Sequence, residues 1–81
     1  MTKETIIAYI KMGREFEFEY RGSNYSITYY NDKRVKYISV CKFNTKPIDV
    51  STPEEVLNLT IGGITIESIL TLLPEDKIMI Y

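Results

Sequence analysis

The chain has 81 residues, 44% hydrophobic and 26% charged, with ten Lys and Arg against eleven Asp and Glu. That composition supports a modest folded core, and the near balance of charge argues against a general nucleic-acid binder or a whole-molecule mimic of DNA. The single cysteine, Cys41, excludes an intramolecular disulfide, and the lack of histidine removes the side chain most used in neutral-pH acid–base catalysis and transition-metal sites.

Thr2 is a good N-cap, and Lys3 to Met12 follow without a breaker until Gly13. Ile6, Ile7 and Ile10 line one stripe, which predicts a first helix that must pack on something. From Glu15 to Tyr20, glutamates alternate strictly with Phe16, Phe18 and Tyr20. This is the period of a half-buried strand, with the aromatic rings inward and the carboxylates outward. Arg21-Gly22-Ser23-Asn24 supplies turn residues. A two-residue loop at Gly22-Ser23 pairs Tyr20 with Tyr25, Phe18 with Ile27 and Phe16 with Tyr29. On the reverse face it brings Glu19 to Ser26, Glu17 to Thr28 and Glu15 to Tyr30.

A second polar turn, Asn31 to Arg34, leads to a third strand over Val35 to Phe43. Pairing across Asp32-Lys33 sets Ile38 against Ile27 and Val40 against Tyr25. It leaves Val35, Tyr37, Ser39, Cys41 and Phe43 beside the glutamates, whereas a three-residue loop exchanges the two sets. Asn44 to Ser51 reads as a loop. Thr52-Pro53-Glu54-Glu55 has the form of a capping box and starts a short helix, Pro53 to Leu59. Gly62-Gly63 then reads as a tight turn, and from Thr65 a last helix carries Ile66, Ile69, Leu70 and Leu73 on one face until Pro74. The apolar tail Ile78 to Tyr81 suits an edge strand or a segment packed along the core.

The expected architecture is therefore α+β: one domain over residues 1–81, with a three-stranded antiparallel meander at residues 14–43. One N-terminal and two C-terminal helices cover one side of it, in the order α-β-β-β-α-α. The N-terminus lacks a basic stretch followed by a long apolar run, and no run approaches the length of a membrane span. A cytoplasmic protein without membrane contact is the expectation.

No catalytic, cofactor-binding or metal-binding motif is complete. The row Glu15, Glu17, Glu19 places carboxylates roughly 7 Å apart along one strand face, within the range of a carboxylate pair, but a flat face offers no pocket. Cys41 lies mid-strand with Lys42 pointing to the opposite face, an ordinary small strand residue rather than a reactive thiolate. Gly62-Gly63 lacks the lysine and spacing of a phosphate loop. The seven tyrosines stand out. Tyr30 and Tyr37 fall on the glutamate face, and stiff rings with a polar tip favour protein interfaces.

The run Gly13 to Gly22 with Tyr25-Ser26-Ile27, and the later Ile61-Gly62-Gly63 before an amphipathic helix, resembles small proteins of Firmicutes and of their phages and conjugative elements. The resemblance covers most of the chain. It implies a setting, cargo of a mobile element, and carries over no site residues. Small proteins in that setting include inhibitors of host defence, anti-CRISPR proteins among them.

The reading that follows is a non-enzymatic protein that binds a host protein by surface contact. Its interaction surface is Glu15, Glu17, Glu19, Tyr30 and Tyr37, with no cofactor and no direct nucleic-acid partner. The alternatives are a homo-oligomer that sequesters a small ligand and a structural module whose tail adds a strand to an assembly.

Overall fold

The computed structural model describes residues 1–32 and 35–81, Asp32 by its backbone alone. Thr2 caps α1 (Lys3–Lys11), its hydroxyl accepting the Thr5 N–H at 3.2 Å. That contact satisfies one of the donors a helix start leaves open. Ile6 and Ile10, one turn apart, are buried, with Ile7 and Tyr9 packed at the margin of the core.

β1 (Phe16–Tyr20) and β2 (Ser23–Asp32) form the alternating hairpin. Its two-residue loop is Arg21-Gly22, not Gly22-Ser23. Both loop residues have positive φ, +51° and +78°. That is the twist of a primed hairpin turn, and a glycine at the second position adopts it without strain. The register therefore moves by two residues: Phe16 faces Ile27 and Phe18 faces Tyr25, instead of Tyr29 and Ile27. A shift of two keeps every side chain on its own face, so the inward and outward sets stand as expected.

β3 (Val35–Lys42) pairs with β2 in a register that is likewise two residues from the expected one. Ile38 faces Tyr29 and Val40 faces Ile27. Asn31 and Asp32, expected in the turn, continue β2 and pair with Lys36 and Val35; the expected turn residues Lys33 and Arg34 lie outside the described residues. Ile38 and Val40 are buried with Phe16 and Ile27, which leaves Tyr37, Ser39 and Cys41 on the glutamate face.

The meander is the centre of a larger sheet. Five antiparallel strands run in the order β4-β3-β2-β1-β7. β4 (Ile48–Val50) lies inside the stretch expected as loop and sets Ile48 beside Val40 and Val50 beside Ile38. Three residues are too few to show a period, and it is this apolar pairing across the edge of β3 that makes them a strand. At the other edge the tail forms β7 (Ile78–Ile80), with Ile78 beside Phe18 and Ile80 beside Phe16.

α2 (Pro53–Asn58) begins at Thr52, whose hydroxyl accepts the Glu55 N–H at 3.2 Å, with Pro53 in the first turn. It does not turn directly into the next helix. Gly62-Gly63, with φ of +58° and +84°, closes a small hairpin of β5 (Thr60–Ile61) and β6 (Ile64–Thr65). Thr65 then caps α3 (Ile66–Leu72) through the Ser68 N–H, and a 3-10 turn at Glu75–Lys77 leads into β7.

One cluster holds these layers together. Ile6 and Ile10 of α1, Val56 and Leu57 of α2, and Ile66, Ile69 and Leu70 of α3 meet the inward face of the sheet. Ile78 of β7 joins Phe16, Phe18, Tyr25, Ile27, Ile38 and Val40 on that face. The fold is α+β in two layers, with all three helices contributing to the same core.

Candidate functional site

The face turned away from the helices carries every residue expected to form the interaction surface. Glu17 and Glu19 project from β1 opposite Ser26 and Asn24. Glu15 lies one residue before β1, and its carbonyl accepts the Tyr81 N–H at 2.9 Å, so it still borders the sheet. Tyr30 and Tyr37 are direct cross-strand partners of β2 and β3. Their rings are 5.2 Å apart between centroids and tilted by 32°. Such a pair contributes about 0.5–1.5 kcal/mol beyond its burial and makes a stiff aromatic platform.

The observed register separates the β1 glutamates from the rings. In the expected register Glu15 met Tyr30; in the observed one Tyr30 lies four residues, about 13 Å, along β2 from Ser26, the partner of Glu17. The space between the carboxylates and the rings is floored by small side chains, Ser26, Thr28 and Ser39. Ser39 is buried at 7% exposure although it points to this face, whereas Tyr30 stands 43% exposed. The face is thus a shallow polar floor with glutamates toward one edge and a tyrosine pair toward the other.

Two contributors escaped the sequence reading. Asp49, at the centre of β4, accepts a hydrogen bond from the Tyr30 hydroxyl at 2.5 Å and so adds a carboxylate beside the aromatic pair. The apolar-charged-apolar run Ile48-Asp49-Val50 was the available signal. Tyr81 donates its hydroxyl to Glu17 at 3.5 Å, and Met79 pairs with Glu17 across β1 and β7, so the tail completes the opposite margin. Cys41, opposite Ser26, directs its thiol to the carbonyls of Lys42 and Thr45 at 3.1 and 3.2 Å, a local contact that closes the turn after β3. Gly62-Gly63 serves a hairpin turn. Among the described residues no group of three or more Cys, Asp or Glu is placed to hold a metal ion.

Tyr29, on the inward face, donates its hydroxyl to the Arg14 carbonyl at 2.6 Å. Burial, and then the negative charge of Glu15, push its phenol up to about 12. A groove of about 410 Å³ opens between the end of α1, the start of α2 and the β2–β3 ladder; Ile10, Met12, Tyr29 and Ile38 line it, and so do Tyr30 and Tyr37 of the aromatic pair. Sequence reading could not find it, because its walls come from four separate elements.

Among the described residues no helix is long and apolar enough to cross a membrane. No protein-family model, no curated protein and no solved structure matches the chain.

Proposed function

We propose that this is a non-enzymatic binding protein, carried by a mobile element, that blocks or modulates a host protein by contact through the open face of its sheet. The observation that supports this reading most is the asymmetry of the sheet. Helices cover one face with a closed apolar core, while the other presents Glu15, Glu17, Glu19, Tyr30 and Tyr37 without a helix over them. Paired tyrosines bind at low entropic cost, and a surrounding set of carboxylates selects among partners by charge. The resemblance to small proteins of Firmicutes mobile elements supports a host-directed role of the anti-defence type. An intracellular place of action and the absence of chemistry belong to the same reading.

Affinity capture from a Firmicutes host, with mass spectrometry to identify what is retained, tests it. A partner held by the wild-type chain and released by the Tyr37→Ala/Glu17→Ala double variant supports the proposal. Equal retention by a folded double variant removes this surface from consideration.

The groove beside Tyr29 favours a second reading, sequestration of a small ligand, since its volume lies within the range of ligand pockets, about 300–1,000 Å³. A thermal-shift screen that finds no stabilising ligand counts against it.

A further inference from the structure

The groove between the end of α1, the start of α2 and the β2–β3 ladder has a lining that sorts by chemistry. Part of it is apolar: Ile10 and Ile38 are buried in the core, and Met12 beside them is 66% exposed. Tyr29 adds an aromatic ring. That ring is fixed in place, because its hydroxyl is committed to the Arg14 carbonyl at 2.6 Å. Side chains anchored in or against the core make a preformed wall, and a ligand that meets it loses little to reorganisation.

The charge in the lining is all of one sign. Lys11 comes from α1 and Lys36 from β3, and no carboxylate is among the described residues that line the groove. Neither lysine makes an ion pair with a described side chain; the ion pair found among the described residues joins Lys3 to Glu67 at 3.7 Å. Lys11 also suits the negative end of α1. Lys36 serves no helix end: it is an exposed strand residue opposite Asn31. In a chain whose charges nearly balance, two cations without a carboxylate between them set a local positive potential. Asn31 and Ser51 add neutral hydrogen-bonding groups to the same lining.

We propose that this groove is a binding site for a small planar aromatic acid. Its rings lie against Ile10, Tyr29 and Ile38, and its anionic group meets Lys11 and Lys36. The proposal rests on the reading of the groove as a ligand pocket and adds to it the class of ligand. Burial of the rings supplies most of the affinity, as in ligand pockets generally. The exposed lysines supply the preference for negative charge, a smaller effect that salt screens.

Fluorescence titration of the full chain with two probes tests this. Anilinonaphthalene sulfonate joins aromatic rings to one negative charge, and phenylnaphthylamine has the same rings without the charge. The expected result is saturable binding of one sulfonate probe per chain, tighter than the neutral probe, with a gap that narrows as salt is added. Lys11→Gln/Lys36→Gln, at two exposed positions, should weaken the sulfonate about tenfold and leave the neutral probe unchanged. Ser51→Trp, which fills the groove from an exposed position, should abolish both. None of these three residues belongs to the proposed docking face. Equal binding of the two probes, unmoved by the lysine substitutions, would overturn the class of ligand and leave the pocket reading standing. No saturable binding of either probe would overturn both. Sulfonate binding that survives Ser51→Trp in a folded chain would place the probe elsewhere and overturn the proposal as well.

Discussion

The two faces of the sheet are made from the same strands by alternation, yet they obey different rules. On the helix face Phe16 and Ile27 are fully buried in a cluster fed by every helix, and little there can change without a cavity. On the open face Glu17, Glu19, Tyr30 and Tyr37 stand over small polar residues, with local hydrogen bonds to Asp49 and Tyr81. One residue step along β1 separates a side chain that holds the fold from one that the fold does not require. Residues spared by stability are the ones free to serve a partner, and that is the reason the open face is the proposed docking surface.

The strongest way to break this comparison is a paired truncation. Phe16→Ala should cost about 3–5 kcal/mol in urea denaturation, through lost burial and the cavity left behind. An effect below about 1 kcal/mol would mean that the helix face is not the closed core described.

The Tyr29 hydroxyl, at the margin of the helix face, gives a smaller effect with a pH signature. Tyr29→Phe removes the hydroxyl bond to the Arg14 carbonyl and should cost about 0.5–1.5 kcal/mol near neutral pH. Because the folded chain holds the Tyr29 proton more tightly than the unfolded one, this contribution is fully present below pH 10. It is lost as the pH rises from 10 through about 12. Alkaline unfolding of Tyr29→Phe should therefore show a shallower slope in that window; an unchanged slope would remove Tyr29 from the alkaline response.

The smallest effect belongs to Glu17→Ala, one residue from Phe16. It should change stability by no more than about 0.5 kcal/mol, since this half-buried glutamate lies outside the apolar core and its carboxylate makes a long contact to Tyr81. A loss as large as that of Phe16→Ala would erase the distinction between the faces.

Much of this was legible in the sequence because period survives errors of register. Moving the first loop from Gly22-Ser23 to Arg21-Gly22 changed every cross-strand partner but no face, since the shift is two residues. The caps at Thr2 and Thr52 were readable because a hydroxyl before a helical run is a local cue. What escaped depends on distant partners. Ile48–Val50 becomes a strand only beside Ile38–Val40, and the tail, expected as an edge strand or a packed segment, has its edge chosen only by Phe16–Phe18. For the candidate site, the shared face was legible but the arrangement on it was not: Glu15 and Tyr30 share a face without being ladder partners, and Asp49 joins through a strand too short to announce itself.

The most direct test of the central claim is chemical-shift mapping of the isotopically labelled chain, titrated with the host protein it captures. The account predicts that the perturbed amides cluster at Glu15, Glu17, Glu19, Tyr30 and Tyr37, while Ile6, Val56 and Leu70 keep their shifts. Perturbations centred on Ile6, Val56 and Leu70, with Glu17 and Glu19 unmoved, would contradict it.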